Sequence, residues 1–159
     1  MPEPETGIPE GFEPLDRGGT WFRQLGPVYM RREANGWVIA LRVAERHLNM
    51  QLITHGGMLM TFADSALGIN MALARGTRRA GQVTVSLSAD FLAPARVGDW
   101  LEAHVTVTRV GQRMAYASCD LRAGTRHVLR SSGVFAFHDR PLPAQPPRPA
   151  DDAPPLEDG

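Results

Sequence analysis

Residues 55–74, HGGMLMTFADSALGINMALA, form a run without Pro and with one charged residue, Asp64, in which apolar side chains fall on every side of a helical wheel. This pattern predicts a long helix enclosed by other structure, and any fold for the chain has to be built around it. Taking a carboxylate out of water costs several kcal/mol unless it is paired or hydrogen-bonded, so Asp64 needs a reason to be there. A bland reason is a bond to nearby backbone or a solvated edge. A chemical one is catalysis, since a partly desolvated carboxylate is a better base or nucleophile.

The start of the helix carries a second feature. Gly56 and Gly57 let a ligand or another backbone approach closely, and the first N–H groups of a helix point outward as donors at the positive end of its dipole. Such donors can hold a developing oxyanion. Asp64 lies two turns further on, on the order of 10 Å away at 1.5 Å of rise per residue, so it cannot serve a group held at its own N-terminus. The two parts would have to meet across a dimer. Gly57, Thr61, Asp64 and Gly68 also share one helix face, giving a small, polar strip for close packing.

The remaining chain supplies strands. Residues 1–19 are rich in Pro, Glu and Gly and predict a flexible acidic arm. Trp21 to Leu25 reads as a short helical or irregular segment. Val28 to Glu33 and Trp37 to Val43, joined by Ala34-Asn35-Gly36, predict a hairpin. Ala44 to Thr54 is a polar crossing and Arg75 to Gly81 an exit loop. Gln82 to Leu92 alternates, with Val83, Val85, Leu87, Ala89 and Phe91 on one face and Thr84, Ser86, Ser88 and Asp90 on the other. Strands over Trp100 to Val110, Met114 to Arg122 and His127 to His138 complete an expected meander of four. Residues 141–159 read as a disordered, Pro-rich acidic tail. The expected fold class is α+β, an antiparallel sheet wrapped around one long central helix, with residues 20–140 as the single domain.

Composition narrows the function classes. At 159 residues and 43% hydrophobic content the chain holds one well-buried domain. The single Cys, Cys119, excludes an internal disulfide, and no basic stretch followed by an apolar core opens the chain, so the expected location is cytoplasmic, with no membrane partner. All 17 basic residues are Arg; between positions 17 and 140 they number 16 against 8 acidic residues, a formal +8 balanced by the two acidic ends. That favours anionic ligands, but no basic run is interleaved with aromatics and no nucleic acid is expected. His47, His104, His127 and His138 have no metal-ligand spacing with one another or with Cys119, so no metal site is expected.

Asn49, His55-Gly56-Gly57 and Asp64 stand at separations that resemble the signature of the phenylacetic-acid-degradation type of hotdog-fold acyl-CoA thioesterase. The likeness runs on through Val83 to Phe91, the Leu92-Ala93-Pro94-Ala95 turn and Gly98-Asp99, covering about residues 26–138. One departure is Leu52, where the family often has Gly. The resemblance implies a hotdog fold that hydrolyses the thioester of an acyl-CoA, aromatic or short to medium in chain, without a metal or cofactor. CoA is part of the substrate. It further implies sites shared between subunits of a homodimer, or of a homotetramer built as a dimer of dimers. Carried over residue by residue, Asp64 would be the general base or the nucleophile. The Gly56 N–H of the partner subunit would polarise the carbonyl, and Asn49 and His55 would orient water or the thioester. Gly57, Ser65 and Thr84 would complete the substrate site, Thr84 standing where some relatives have a Ser.

Each role has a plainer counterpart: a backbone bond for His55, loop structuring for Asn49, ordinary strand polarity for Thr84. Met58, Phe62, Met71 and Phe91 are expected to line an apolar tunnel. Arg75, Arg78 and Arg79 leave the helix where a CoA phosphate would dock, although a solvated loop serves equally well. Two rival functions stay in view: a non-catalytic hotdog module that binds acyl-CoA or acyl carrier protein, and a hotdog hydratase. The second needs an Asp and His a few residues apart, whereas the first His after Asp64 is His104.

Overall fold

The computed structural model describes residues 7–76 and 80–147. Seven strands form one antiparallel sheet: β1 (Glu13–Pro14), β2 (Tyr29–Glu33), β3 (Gly36–Arg42), β4 (Ala80–Phe91), β5 (Trp100–Val110), β6 (Met114–Ala123) and β7 (Arg126–Pro141). Helix α1 spans Thr20–Arg23 and helix α2 spans Gly56–Arg75. The spatial order is β1-β2-β3-β5-β6-β7-β4. The predicted hairpin and central helix are thus present, but the four-strand meander is corrected. Only β5, β6 and β7 meander; β3 pairs with β5, and β4 pairs with β7 at the far edge. The reason is the helix. A 20-residue α2, about 30 Å long, carries the chain over one face of the sheet from β3 to the opposite edge.

Leu59, Phe62, Ala63, Ala66, Leu67 and Met71 of α2 are buried together with Ile39, Leu41, Leu101, Ala103, Cys119, Leu121 and Leu129 of the strands. Deep burial of these side chains is the main stabilising term, at about 1.5–3 kcal/mol for each large one. The expectation that α2 is enclosed on all sides is corrected for the single chain. Gly57, Ala72 and Ala74 are exposed and Thr61, Asp64 and Ser65 only half-buried, so the strip of small and polar residues looks outward.

A buried amide fixes α2 against the sheet. Asn70, 2% exposed, accepts the Trp37 N–H at 2.8 Å and donates to the Trp37 carbonyl at 2.9 Å and to the Ala66 carbonyl at 3.1 Å. Gly36, at φ +146°, keeps this corner open, because a Cβ there would stand 2.5 Å from Asn70 Oδ1.

The N-terminal stretch read as a loose arm is docked over residues 12–15. Glu13 and Pro14 pair with Met30 and Tyr29, the Leu15 N–H donates to the Val28 carbonyl at 2.9 Å, and Leu15 is buried. The free edge of β2 takes up the backbone, and Phe12 packs edge-on against Trp100 with ring centroids 5.2 Å apart. At the other end β7 runs to Pro141, residues 142–147 have no regular structure, and 148–159 lie outside the described residues, as do 1–6.

Leu52 adopts φ +58°, the one left-handed non-glycine among the described residues, and its side chain is 73% exposed. The chain therefore makes with Leu the turn for which glycine is suited, at a cost of about 1 kcal/mol. Leu52→Gly is expected to raise Tm by about 2–4 °C in a thermal scan. A fall in Tm would mean that the Leu52 side chain is packed against something.

Candidate active site

Three hydrogen bonds set the beginning of α2. The Thr54 N–H and Oγ1 both donate to the Ala95 carbonyl at 2.9 Å, and the His55 N–H donates to the His47 carbonyl at 2.8 Å. His47 is itself buried: its Nδ1 accepts the Ala44 N–H at 3.0 Å and its Nε2 donates to the Leu25 carbonyl at 2.7 Å. That arrangement suits the neutral ring. Burial holds the His47 pKa below the ordinary 6.5, with Arg46 adding to the effect and the Leu25 carbonyl opposing it. Between the lowered native value and 6.5 the unfolded chain binds more protons than the folded one, so stability rises with pH across that interval. The contribution is whole above 6.5 and is lost on acidification below it. Urea titrations at pH 7.5 and 5.5 are expected to show a drop in stability that is smaller in His47→Gln; equal drops would remove His47 as the group responsible.

His55 caps the helix, its Nδ1 accepting the Gly57 N–H at 2.9 Å. Its proton then sits on Nε2. The bland expectation for His55 is therefore met, which leaves Nε2–H as the group it can offer a substrate. With Gly57 engaged, the Gly56 and Met58 N–H groups have no acceptor among the described residues and remain open donors at the positive end of α2. A Cβ on residue 56 would stand 3.3 Å from the exposed Phe91 ring, close enough that the ring would have to move aside by a few tenths of an ångström.

Two turns along, Asp64 Oδ1 accepts a 2.8 Å hydrogen bond from Thr84 Oγ1. This contact contradicts the simple alternation predicted for β4. Thr84 pairs with Phe135 and Ser86 with Val134, which leaves Val85 unpaired in a β-bulge. Before the bulge the even-numbered side chains face α2; after it the odd-numbered ones do. Gln82 belongs to the first set, donating to the Gly68 carbonyl at 2.6 Å. Leu87 belongs to the second, lying beside Leu67 around Gly133, as does Phe91 beside Gly56. Val83 and Val85 are more than half exposed rather than in the core. The two clamps are geometrically matched: Asp64 and Gly68 are one helical turn apart, about 6 Å of rise, and Thr84 and Gln82 are two strand residues apart, about 6.7 Å.

The other expected residues are placed less directly. Asn49 Oδ1 accepts the Gln51 N–H at 2.9 Å and the Ile53 N–H at 3.3 Å, so it builds the loop, and the residue lines an open cavity of about 710 Å3 with Leu48, Leu52 and Arg96. Ser65 follows Asp64 on the half-buried flank of α2, and Gly57 lies exposed at its first turn. Within one chain Asp64 is brought together with Thr84, not with Gly56, Asn49 or His55. Of the expected tunnel residues, Phe62 and Met71 are corrected to core positions at 0% exposure, while Met58 is half-buried and Phe91 57% exposed. Arg75 stacks on Phe137 with its guanidinium carbon 3.9 Å from the ring centroid; Arg78 and Arg79 lie outside the described residues.

Two further candidate groups, His104 and Cys119, are not available. His104 Nε2 bonds Glu102 at 2.8 Å on the sheet face away from α2, so the Asp–His pair of a hydratase is not assembled. Burial, with Asp120 adjacent, pushes the Cys119 thiol up to about 12, which removes it as a nucleophile near neutrality. His47, Asn70 and Gln82 are the supporting residues that sequence reasoning missed. Only the isolated polar identity of Asn70 within an apolar helix signalled any of them.

Residues 53–129 match the thioesterase superfamily model. The chain is 48% identical over 129 residues to the candidate esterase PA0474 of Pseudomonas aeruginosa, spanning 80% of this chain and 96% of that one. It is 30% identical over 101 residues to mouse acyl-coenzyme A thioesterase 13, spanning 64% and 71%. Among solved structures, a mutant of the phenylacetic acid degradation protein PaaI from Thermus thermophilus superposes with a TM-score of 0.64 at 25% identity, over 73% of this chain and 96% of that one.

Proposed function

Because the chain belongs to the thioesterase superfamily, and is a thioester hydrolase of the hotdog fold, we propose that its substrates are acyl-CoA thioesters, split to free acid and CoA at Asp64. The observation that carries the assignment is the half-open carboxylate on α2, oriented by the Thr84 hydroxyl across a bulge in β4. Thr84 occupies Oδ1 and leaves Oδ2 with no partner among the described residues.

In the general-base form, Asp64 takes a proton from water, the resulting hydroxide adds to the carbonyl carbon, the C–S bond breaks, and the CoA thiolate leaves and is reprotonated. In the nucleophilic form, the carboxylate adds to the carbonyl, CoA thiolate departs, and water hydrolyses the mixed anhydride. Both develop an oxyanion, and the open Gly56 N–H of a second copy supplies its donor. Neither form calls on a metal or a cofactor. The working unit is accordingly a homodimer, alone or paired into a tetramer. Supporting this, the single chain leaves the α2 strip outward-facing and β4 as an exposed edge carrying Val83 and Val85.

Thiol release from acetyl-, octanoyl-, benzoyl- and phenylacetyl-CoA tests the proposal. Turnover of at least one at kcat of about 1 s⁻¹ or more is expected. Release from simple aryl esters or non-CoA thioesters alone would overturn the substrate class.

A further inference from the structure

Of the three Trp residues in the sequence, two are held within the fold. Trp37 is clamped by Asn70, and Trp100 packs against Phe12 and Tyr29. Trp21 differs: 71% of it is exposed. Its backbone is nonetheless fixed. On α1 the neighbouring Phe22 is 4% exposed in the core; just beyond the helix Leu25 is buried, and its carbonyl is held by His47. Gly18 turns the chain into α1 at φ +104°, with the Phe22 ring 2.4 Å from where a Cβ would stand. A well-anchored helix thus directs one large aromatic side chain outward.

The indole is also oriented. Its Nε1–H donates to Thr61 Oγ1 at 3.2 Å, which ties the ring to α2 one turn before Asp64. Side chains three apart on a helix stand about 5–6 Å from each other, so the residue that holds the indole, Thr61, is a direct neighbour of Asp64 on the same face of α2. Gly57, one turn earlier, leaves that side of the strip low. With its single polar hydrogen engaged, the ring has only apolar surface to offer. The amides and phosphates of a CoA arm gain little from such a surface, and its adenine, which could stack on an indole, lies at the far end of the arm from the thioester; an apolar acyl group, attached at the thioester itself, gains a wall.

We propose that Trp21 forms one wall of the acyl-binding site and sets which acyl groups the enzyme accepts. This rests on the reading of Asp64 as the reacting carboxylate. Trp21 contacts the acyl group when substrate is bound, whereas the reacting atoms are handled on α2.

The test uses full-length Asp64→Asn protein, in which bound thioester persists, titrated with CoA, acetyl-CoA, octanoyl-CoA and phenylacetyl-CoA while tryptophan emission is followed. Octanoyl- and phenylacetyl-CoA are expected to shift the emission, CoA alone is not, and the shift is expected to vanish when Trp21→Phe is added. In otherwise unaltered enzyme, Trp21→Ala is expected to lower kcat/KM for octanoyl- or phenylacetyl-CoA about tenfold and that for acetyl-CoA less than about twofold, the scale of losing an apolar pocket contact. No emission change with any acyl-CoA, an equal loss across the series, or a change only in oligomeric state would overturn the proposal. Full turnover by Asp64→Asn is a different failure, that of the underlying assignment.

Discussion

Replacing Asp64 by Asn is expected to lower kcat for acyl-CoA hydrolysis at least about a hundredfold, the scale for losing a positioned acid–base group. The fold is expected to stay intact. Asn has nearly the shape of Asp, its carbonyl oxygen still accepts the Thr84 hydroxyl, and the site is half-buried on the open side of α2, away from the core layer. What the amide cannot do is take a proton from water or attack a carbonyl carbon. Thr84→Val is the graded companion. It keeps the carboxylate but frees its rotation, and a loss nearer tenfold is expected. The measurement is thiol release under saturating substrate, with Tm compared alongside. An Asp64→Asn enzyme that retains the wild-type rate would transfer the chemistry to some other group.

Asn70→Ala is expected to be the most destabilising of the single changes considered. It removes three hydrogen bonds and strands the N–H and carbonyl of Trp37 in a half-buried corner. An unsatisfied buried polar group costs about 1–3 kcal/mol, and two are created at once. A loss of about 3 kcal/mol, or roughly 10 °C in Tm for a chain of this size, follows. Urea unfolding gives the free energy directly. A loss below about 1 kcal/mol would show that water enters and replaces the amide. Activity is expected to fall less than stability, because Thr84 and Gln82 still grip α2 from the other side.

Much of this architecture can be read from residue order. The helix over Gly56–Arg75 announces itself by its unbroken apolar run, the hairpin by Ala34-Asn35-Gly36 between two alternating segments, and Asp64 by being the sole charge where burial is costly. The glycines before it mark a helix start. What escapes the sequence is set by tertiary geometry. Val83 to Phe91 alternates without a visible break, so nothing along the chain marks Val85 as the unpaired residue that brings Thr84 over Asp64. Pairing of β4 with β7 depends on how far α2 carries the chain. Leu52 has no propensity for a left-handed turn, and Phe12 and Leu15 sit in a stretch whose average composition reads as unfolded. The roles of His47 and Asn70 turn on contacts with distant backbone, the Leu25 carbonyl and the Trp37 N–H and carbonyl.

The distance along α2 between Gly56 and Asp64 has an arithmetic consequence. A straight helix keeps them on the order of 10 Å apart whatever else in the chain moves. Each copy would then carry two halves of two different sites. Mixing an Asp64→Asn chain with one carrying Gly56→Pro, which deletes the N–H at a position where proline suits a helix start, pairs an intact carboxylate with an intact donor in the mixed dimer. Two inactive proteins would thereby regenerate one working centre per heterodimer, up to a quarter of the wild-type rate from random pairing, and dilution below the dimer Kd would extinguish it.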